Sequence, residues 1–88
     1  MAIGRFTGRV ERIYPFEGHT NIRLAGIPEA QQPADNYFTL QQSHQNYNAL
    51  YSLALAAAIN GYDLQVRLRG EDYVPGQTAN VLYMVVDF

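Results

Sequence analysis

Residues 43–69, SHQNYNALYSLALAAAINGYDLQVRLR, decide how the rest of the chain is read. Ser43 is a residue type that accepts hydrogen bonds from the free amides of a helix start, and the segment after it is rich in alanine, the strongest helix former. Asn60-Gly61 supplies the left-handed stop favoured at a helix carboxyl end, so the sequence predicts a helix from Ser43 to about Ile59. The next element is marked as clearly. Tyr62, Leu64, Val66 and Leu68 alternate with Asp63, Gln65, Arg67 and Arg69, the period of a strand with one buried and one wet face.

Upstream of this pair the chain reads as three strands. Ile3 to Tyr14 is a long one, placing Phe6, Val10 and Tyr14 on one face and Arg5, Thr7, Arg9 and Glu11 on the other, with Gly8 as a bulge or coil point. Pro15 and Phe16-Glu17-Gly18-His19 are expected to end it, and a second strand follows over Asn21–Ala25. Residues 26–35 carry two prolines and read as a surface loop long enough for recognition. Asn36 to Gln41 is the third strand, with Phe38 and Leu40 on one side and Tyr37 and Thr39 on the other. Downstream, the turn-rich stretch Gly70 to Ala79 leads into Val81 to Phe88. There Val81, Tyr83 and Val85 oppose Leu82, Met84 and Val86, a strand apolar on both faces that expects cover on both.

Strand, strand, strand, helix, strand, strand is the order of the five-stranded barrel called the OB-fold, whose helix lies between the third and fourth strands. The expected class is therefore mainly β with one helix, a single OB-fold domain over residues 1–88. A ferredoxin-like sandwich would need a second helix, and the only space for one is the proline-bearing loop after Ala25. At about 100 degrees per residue, apolar side chains cover most of the helix circumference, leaving a narrow stripe of Gln45, Asn48 and Ser52. No charged residue occurs between Asp35 and Asp63. A second buried face is expected, in a homo-oligomer whose interface includes Tyr47, Tyr51, Ala54, Ala57 and Ala58. A glutamate at Ala54 or Ala57 should then disperse the assembly.

Residues 46–68, NYNALYSLALAAAINGYDLQVRL, resemble the helix-then-strand element of the B subunits of AB5-type bacterial toxins, those of pertussis toxin and subtilase cytotoxin in particular. The resemblance implies an OB-fold, a pentameric ring with the helices near its axis, and binding of cell-surface glycans. It carries over no glycan-contact residue. The chain departs from it in having no cysteine, and its first residues are not expected to form a signal peptide.

Composition narrows the chemistry. With 88 residues and no cysteine, the chain buries only about 60 to 65% of its unfolded surface and has no disulfide framework, so a compact core or an assembly must hold it. A cytoplasmic location is the default expectation, or secretion if a leader has been removed. The longest apolar run, Leu53 to Ile59, is far short of the roughly 20 residues of a membrane span. All six basic residues are arginines, against eight acidic ones, giving a net charge of -2 that offers no global attraction to a polyanion.

Catalysis finds little footing. His19 and His44 lack metal-ligand spacing, Ser43 beside His44 is better explained as a cap, and Glu71-Asp72 has too few oxygen partners for a calcium loop. No catalytic residue, metal or cofactor is expected. Glycan binding would use an aromatic face with amide partners, for which Asn36, Tyr37, Tyr73 and Gln77 are the candidates. Single-stranded nucleic acid is the alternative, through Arg5, Arg9, Arg23, Arg67 and Arg69 beside Tyr37. Against it stands the expectation that the arginines pair with carboxylates across strands. A third reading is an assembly component whose contacts are all protein.

Overall fold

The computed structural model describes residues 4–70 and 73–87. The expected start of the first strand at Ile3, the Glu71-Asp72 pair and the end of the last strand at Phe88 lie outside the described residues. In chain order the elements are β1 (Arg5–Phe16), β2 (His19–Leu24), β3 (Phe38–Gln41), α1 (Tyr47–Asn60), β4 (Asp63–Leu68) and β5 (Ala79–Val85). The loop between β2 and β3 carries two short 3-10 turns, Glu29–Gln31 and Ala34–Asn36, and no α-helix, which removes the sandwich alternative.

The five strands close on themselves in the order β1-β2-β3-β5-β4. β1 makes this possible by serving two neighbours. Its first half pairs with β4, from Arg5↔Arg67 to Arg9↔Asp63, and its second half pairs with β2, from Val10↔Leu24 to Phe16↔His19. Gly8 lies at the changeover, where a Cβ would overlap the carbonyl oxygen of Ala25, so it permits close approach of two backbones. The bulge falls elsewhere: Val10 faces Leu24 and Arg12 faces Arg23, leaving Glu11 as the extra residue. One inserted residue reverses the faces beyond it. Tyr14, expected inward with Phe6 and Val10, is exposed, while Ile13 packs against the core. Pro15 does not end β1 but sits opposite Thr20, and the turn is the shorter Glu17-Gly18, with Gly18 at φ 82°.

β3 and β5 run parallel over Phe38↔Ala79 and Thr39↔Asn80, which closes the ring. A second bulge marks β5, because Leu68 faces Val81 and Arg67 faces Tyr83, so that Leu82 is extra. Val81 and Met84 therefore both point inward and Leu82 and Tyr83 both outward, in place of the strict alternation read from the sequence.

The core is the inner surface of this ring, built from Phe6, Ile22, Leu24, Phe38, Leu40, Leu64, Val66, Leu68 and Val81, with the Phe6 and Phe38 rings 5.0 Å apart. Leu50, Ala54 and Ala57 of α1 complete it. The helix begins at Tyr47, after Asn46, and not at Ser43. His44 organises the start, since its Nδ1 accepts the Asn46 N–H at 3.0 Å while its Nε2 donates to the carbonyl of bulge residue Leu82 at 2.7 Å. Those two bonds assign His44 as the neutral Nε2–H tautomer. The helix ends as the sequence indicates: Gly61 at φ 70° caps it, with Tyr62 N–H bonded to Ala57 O and Gly61 N–H to Ala58 O.

Ala54 is 0% and Ala57 1% exposed, so both are spent inside their own protomer and neither can meet a second one. The side of α1 turned to solvent carries Asn48, Ser52, Leu55, Ala56 and Ile59 instead. Tyr47 and Tyr51 are half-buried, stacked on each other, and Tyr47 OH shares a 2.6 Å hydrogen bond with buried Thr20. Ala58 lies half-buried between the two sides.

Candidate ligand-binding face of β1, β2 and β3

Strand register fixes which side chains stand together on the outer face. Beyond the Glu11 bulge, β1 presents Arg12, Tyr14 and Phe16; β2 presents His19, Asn21 and Arg23; β3 presents Thr39 and Gln41, with Tyr37 just before it. They fall in three rows across the sheet. Phe16, His19 and Gln41 form one row, Tyr14, Asn21, Thr39 and Asn80 the next, and Arg12 opposite Arg23 the third, with Tyr37 alongside.

Aromatic rings run through these rows. Phe16 lies 5.6 Å from the His19 ring and 5.9 Å from Tyr14, and Tyr14 lies 6.2 Å from Tyr37. Phe16 is 58% and Tyr14 44% exposed, a large apolar exposure for a strand that ends in a tight turn. Amides and hydroxyls sit beside the rings, where Thr39 Oγ1 donates to Asn21 Oδ1 at 3.1 Å and Gln41 Nε2 donates to Asn80 Oδ1 at 3.0 Å. Each of these groups keeps further capacity to donate or accept. A depression of about 260 Å³ lies over them, lined by His19, Asn21, Asp35, Tyr37, Thr39 and Gln41 among others.

Tyr37 mediates between two opposed cations. The Arg23 guanidinium carbon lies 4.7 Å from its ring centroid, and Arg12 Nη1 donates to its hydroxyl at 3.0 Å. That hydrogen bond is the main cause of a rise in the Arg12 pKa above its ordinary value. The chain is bent sharply to deliver Tyr37: Asp35 and Asn36 adopt φ of 57° and 59°, the left-handed region that Asp and Asn tolerate best among residues with a side chain. Arg23 Nε and Asn36 Oδ1 are buried without a hydrogen-bond partner among the described residues. Left-handed backbone beside buried unpaired polar atoms is a feature of a functional site more than of a scaffold.

The residues anticipated for glycan binding divide. Asn36 and Tyr37 belong here, whereas Tyr73 packs its ring edge-on to Phe6 at 5.5 Å and donates its hydroxyl to Gln31 O at 3.0 Å. Tyr73 and Gln77 line a separate depression with Leu68 and Arg69, and the Gln77 carbonyl accepts the Ala34 N–H at 2.9 Å. The arginines also divide. Arg23 is on this face, Arg5, Arg9 and Arg67 are on the outer face of β1 and β4, and Arg69 is exposed past the end of β4. Arg9 reaches the helix end, its Nη2 3.0 Å from the point a Cβ of Gly61 would occupy, where a cation faces the negative end of the helix dipole. Of the expected cross-strand pairings of arginine with carboxylate, Arg9 does stand opposite Asp63, but no ion pair between them forms among the described residues, and Arg5 and Arg12 stand opposite Arg67 and Arg23.

Sequence reading missed Arg12, Tyr14, Phe16 and His19 as site residues. The alternation Arg12-x-Tyr14-x-Phe16 was the available signal, hidden by a bulge that no glycine marks. Among the described residues no cluster of His, Asp or Glu could hold a metal ion, and no helix is long and apolar enough to cross a membrane.

The fold and this face define a small, mainly β protein with a closed five-stranded sheet, one helix, and an outer surface of exposed aromatics interleaved with amides. No family model, curated protein or solved structure matches the chain.

Proposed function

We propose that the chain is a non-enzymatic OB-fold binding protein that takes a carbohydrate on the outer face of β1, β2 and β3. Support for the fold name is the β1-β2-β3-β5-β4 closure with a parallel β3–β5 seam and the helix between β3 and β4. The observation that carries the ligand class is the run of rings Phe16–Tyr14–Tyr37, exposed at Phe16 and Tyr14, bordered by Asn21, Thr39, Gln41 and Asn80. Sugar rings offer apolar C–H faces to aromatic rings and hydroxyls to amides, and this face supplies both partners. Self-association through the solvent side of α1, in a ring of the kind the toxin-subunit resemblance implies, would multiply a weak site by avidity.

Single-stranded nucleic acid is the second reading, favoured by the Arg23–Tyr37 stack beside exposed rings. Magnitude weighs against it. Only Arg12 and Arg23 lie on the face and both are engaged by Tyr37, so few phosphates could be neutralised. The test titrates an oligosaccharide panel and an oligothymidylate against the intact chain at low and high salt. Carbohydrate binding that tolerates salt and falls about tenfold or more in Phe16→Ala and Tyr14→Ala supports the proposal. Binding of the oligonucleotide alone, weakening steeply with salt, replaces it with the second reading. Binding unchanged in both variants removes the face from either.

A further inference from the structure

The outer face of β1, β4 and β5 carries another pair of opposed cations, and this one has no mediator. Arg5 stands directly opposite Arg67, and Arg67 stands opposite Tyr83 on its other side. Phe6, Val66 and Met84, one step along each strand, are buried, so Arg5, Arg67 and Tyr83 form one outward row. Like charges placed directly opposite each other are unfavourable. At Arg12 and Arg23 the ring and hydroxyl of Tyr37 absorb the conflict, but no described residue forms an ion pair or hydrogen bond with the guanidinium of Arg5 or Arg67.

The surroundings hold the conflict in place. Arg67 lies over Gly4, where a Cβ would overlap its Nη1, so the absent side chain gives the guanidinium its seat. The neighbouring row, Thr7, Gln65 and Val85, is neutral, and Asp63 and Asp87 line the depression around it. Asp63, on the same face of β4, is four residues from Arg67, about 13 Å along a strand and beyond the range of effective pairing in physiological salt.

We propose that Arg5, Arg67 and Tyr83 form a binding site for a doubly charged phosphate, free or as a monoester, separate from the aromatic face. Two forked guanidiniums match the oxygens of a phosphate, and its double charge balances both cations. A carboxylate would leave one of them uncompensated. The Tyr83 hydroxyl, 40% exposed as a residue, adds a neutral donor at the end of the row.

The experiment follows backbone amide and arginine Nε–H resonances of the intact chain on titration with inorganic phosphate, phenyl phosphate and acetate at matched ionic strength. Saturable shifts at Arg5, Arg67 and Tyr83 with a dissociation constant of about 1 to 10 mM are expected for phosphate, and Arg5→Gln should weaken binding about tenfold. Arg5 is exposed, so that variant tests the site without disturbing the core. Tighter binding of phenyl phosphate identifies an ester as the source, and equal or tighter binding of inorganic phosphate identifies the free ion; both outcomes support the site. Acetate shifts of the same size, shifts that never saturate, or an unchanged affinity in Arg5→Gln overturn it.

Discussion

At Gly8 two backbones approach so closely that a methyl group would occupy the position of the Ala25 carbonyl oxygen. Backbone yields less readily than a side chain, so Gly8→Ala should cost about 1 to 3 kcal/mol, read as a lowered urea midpoint with unchanged slope. An unchanged midpoint would show that the β1–β2 hairpin slides without penalty. The need for a special residue at this position was legible in the sequence, because a glycine interrupts an inward series. Glu11 and Leu82 were not legible, since a bulge can be made by any residue and its cause is the register demanded by two different partners. Tyr73 gives a prediction of another kind. Burial raises its pKa above the ordinary tyrosine value of about 10, so the folded state holds the proton more tightly than the unfolded chain. Its contribution is complete below pH 10 and is lost as pH rises through the raised value, so alkaline stability should fall there. Tyr73→Phe should remove that part of the decline, and a decline of equal size in the variant would assign it to other groups.

The helix shows how an element can be read correctly and still be turned the wrong way. Its stop at Asn60-Gly61 and the alternation of β4 were legible because each depends on local backbone chemistry. The inward face was not, because apolar residues surround the axis and only the ring of strands selects Leu50, Ala54 and Ala57. Alanine fits there because the helix must lie close against the end of the closed sheet. Ala57→Glu would place a carboxylate among Leu and Val side chains without a partner, costing several kcal/mol, on the order of 3 to 5. The expected result is loss of the folded circular-dichroism signal, not dispersal of a folded protomer. Ile59→Glu, at a position 76% exposed, should leave that signal intact. A folded Ala57→Glu chain would mean that α1 packs by a different face.

For the whole molecule, the mainly β class with five strands and one helix between the third and fourth was legible from the sequence pattern, whereas the closure order β1-β2-β3-β5-β4 comes from the structure. What binds was less legible, because the aromatic face is assembled by register from residues far apart in sequence, 25 positions for Arg12 and Tyr37 and 39 for Gln41 and Asn80. Small size adds the remaining argument. A chain of 88 residues has little surface to hide, yet the solvent side of α1 leaves Leu55 41% and Ile59 76% exposed, with Ser52 and Ala56 beside them and no charge from residue 36 to 62. A second copy offers the same uncharged, small-residue surface, so the proposed assembly should form through these residues. Light scattering on a sizing column should give a multiple of the protomer mass that persists in high salt, because the contact is apolar. Leu55→Glu with Ile59→Glu should reduce it to one protomer with the circular-dichroism spectrum unchanged. A native chain that elutes as a single protomer at every concentration would remove the assembly and, with it, the avidity invoked for the carbohydrate face.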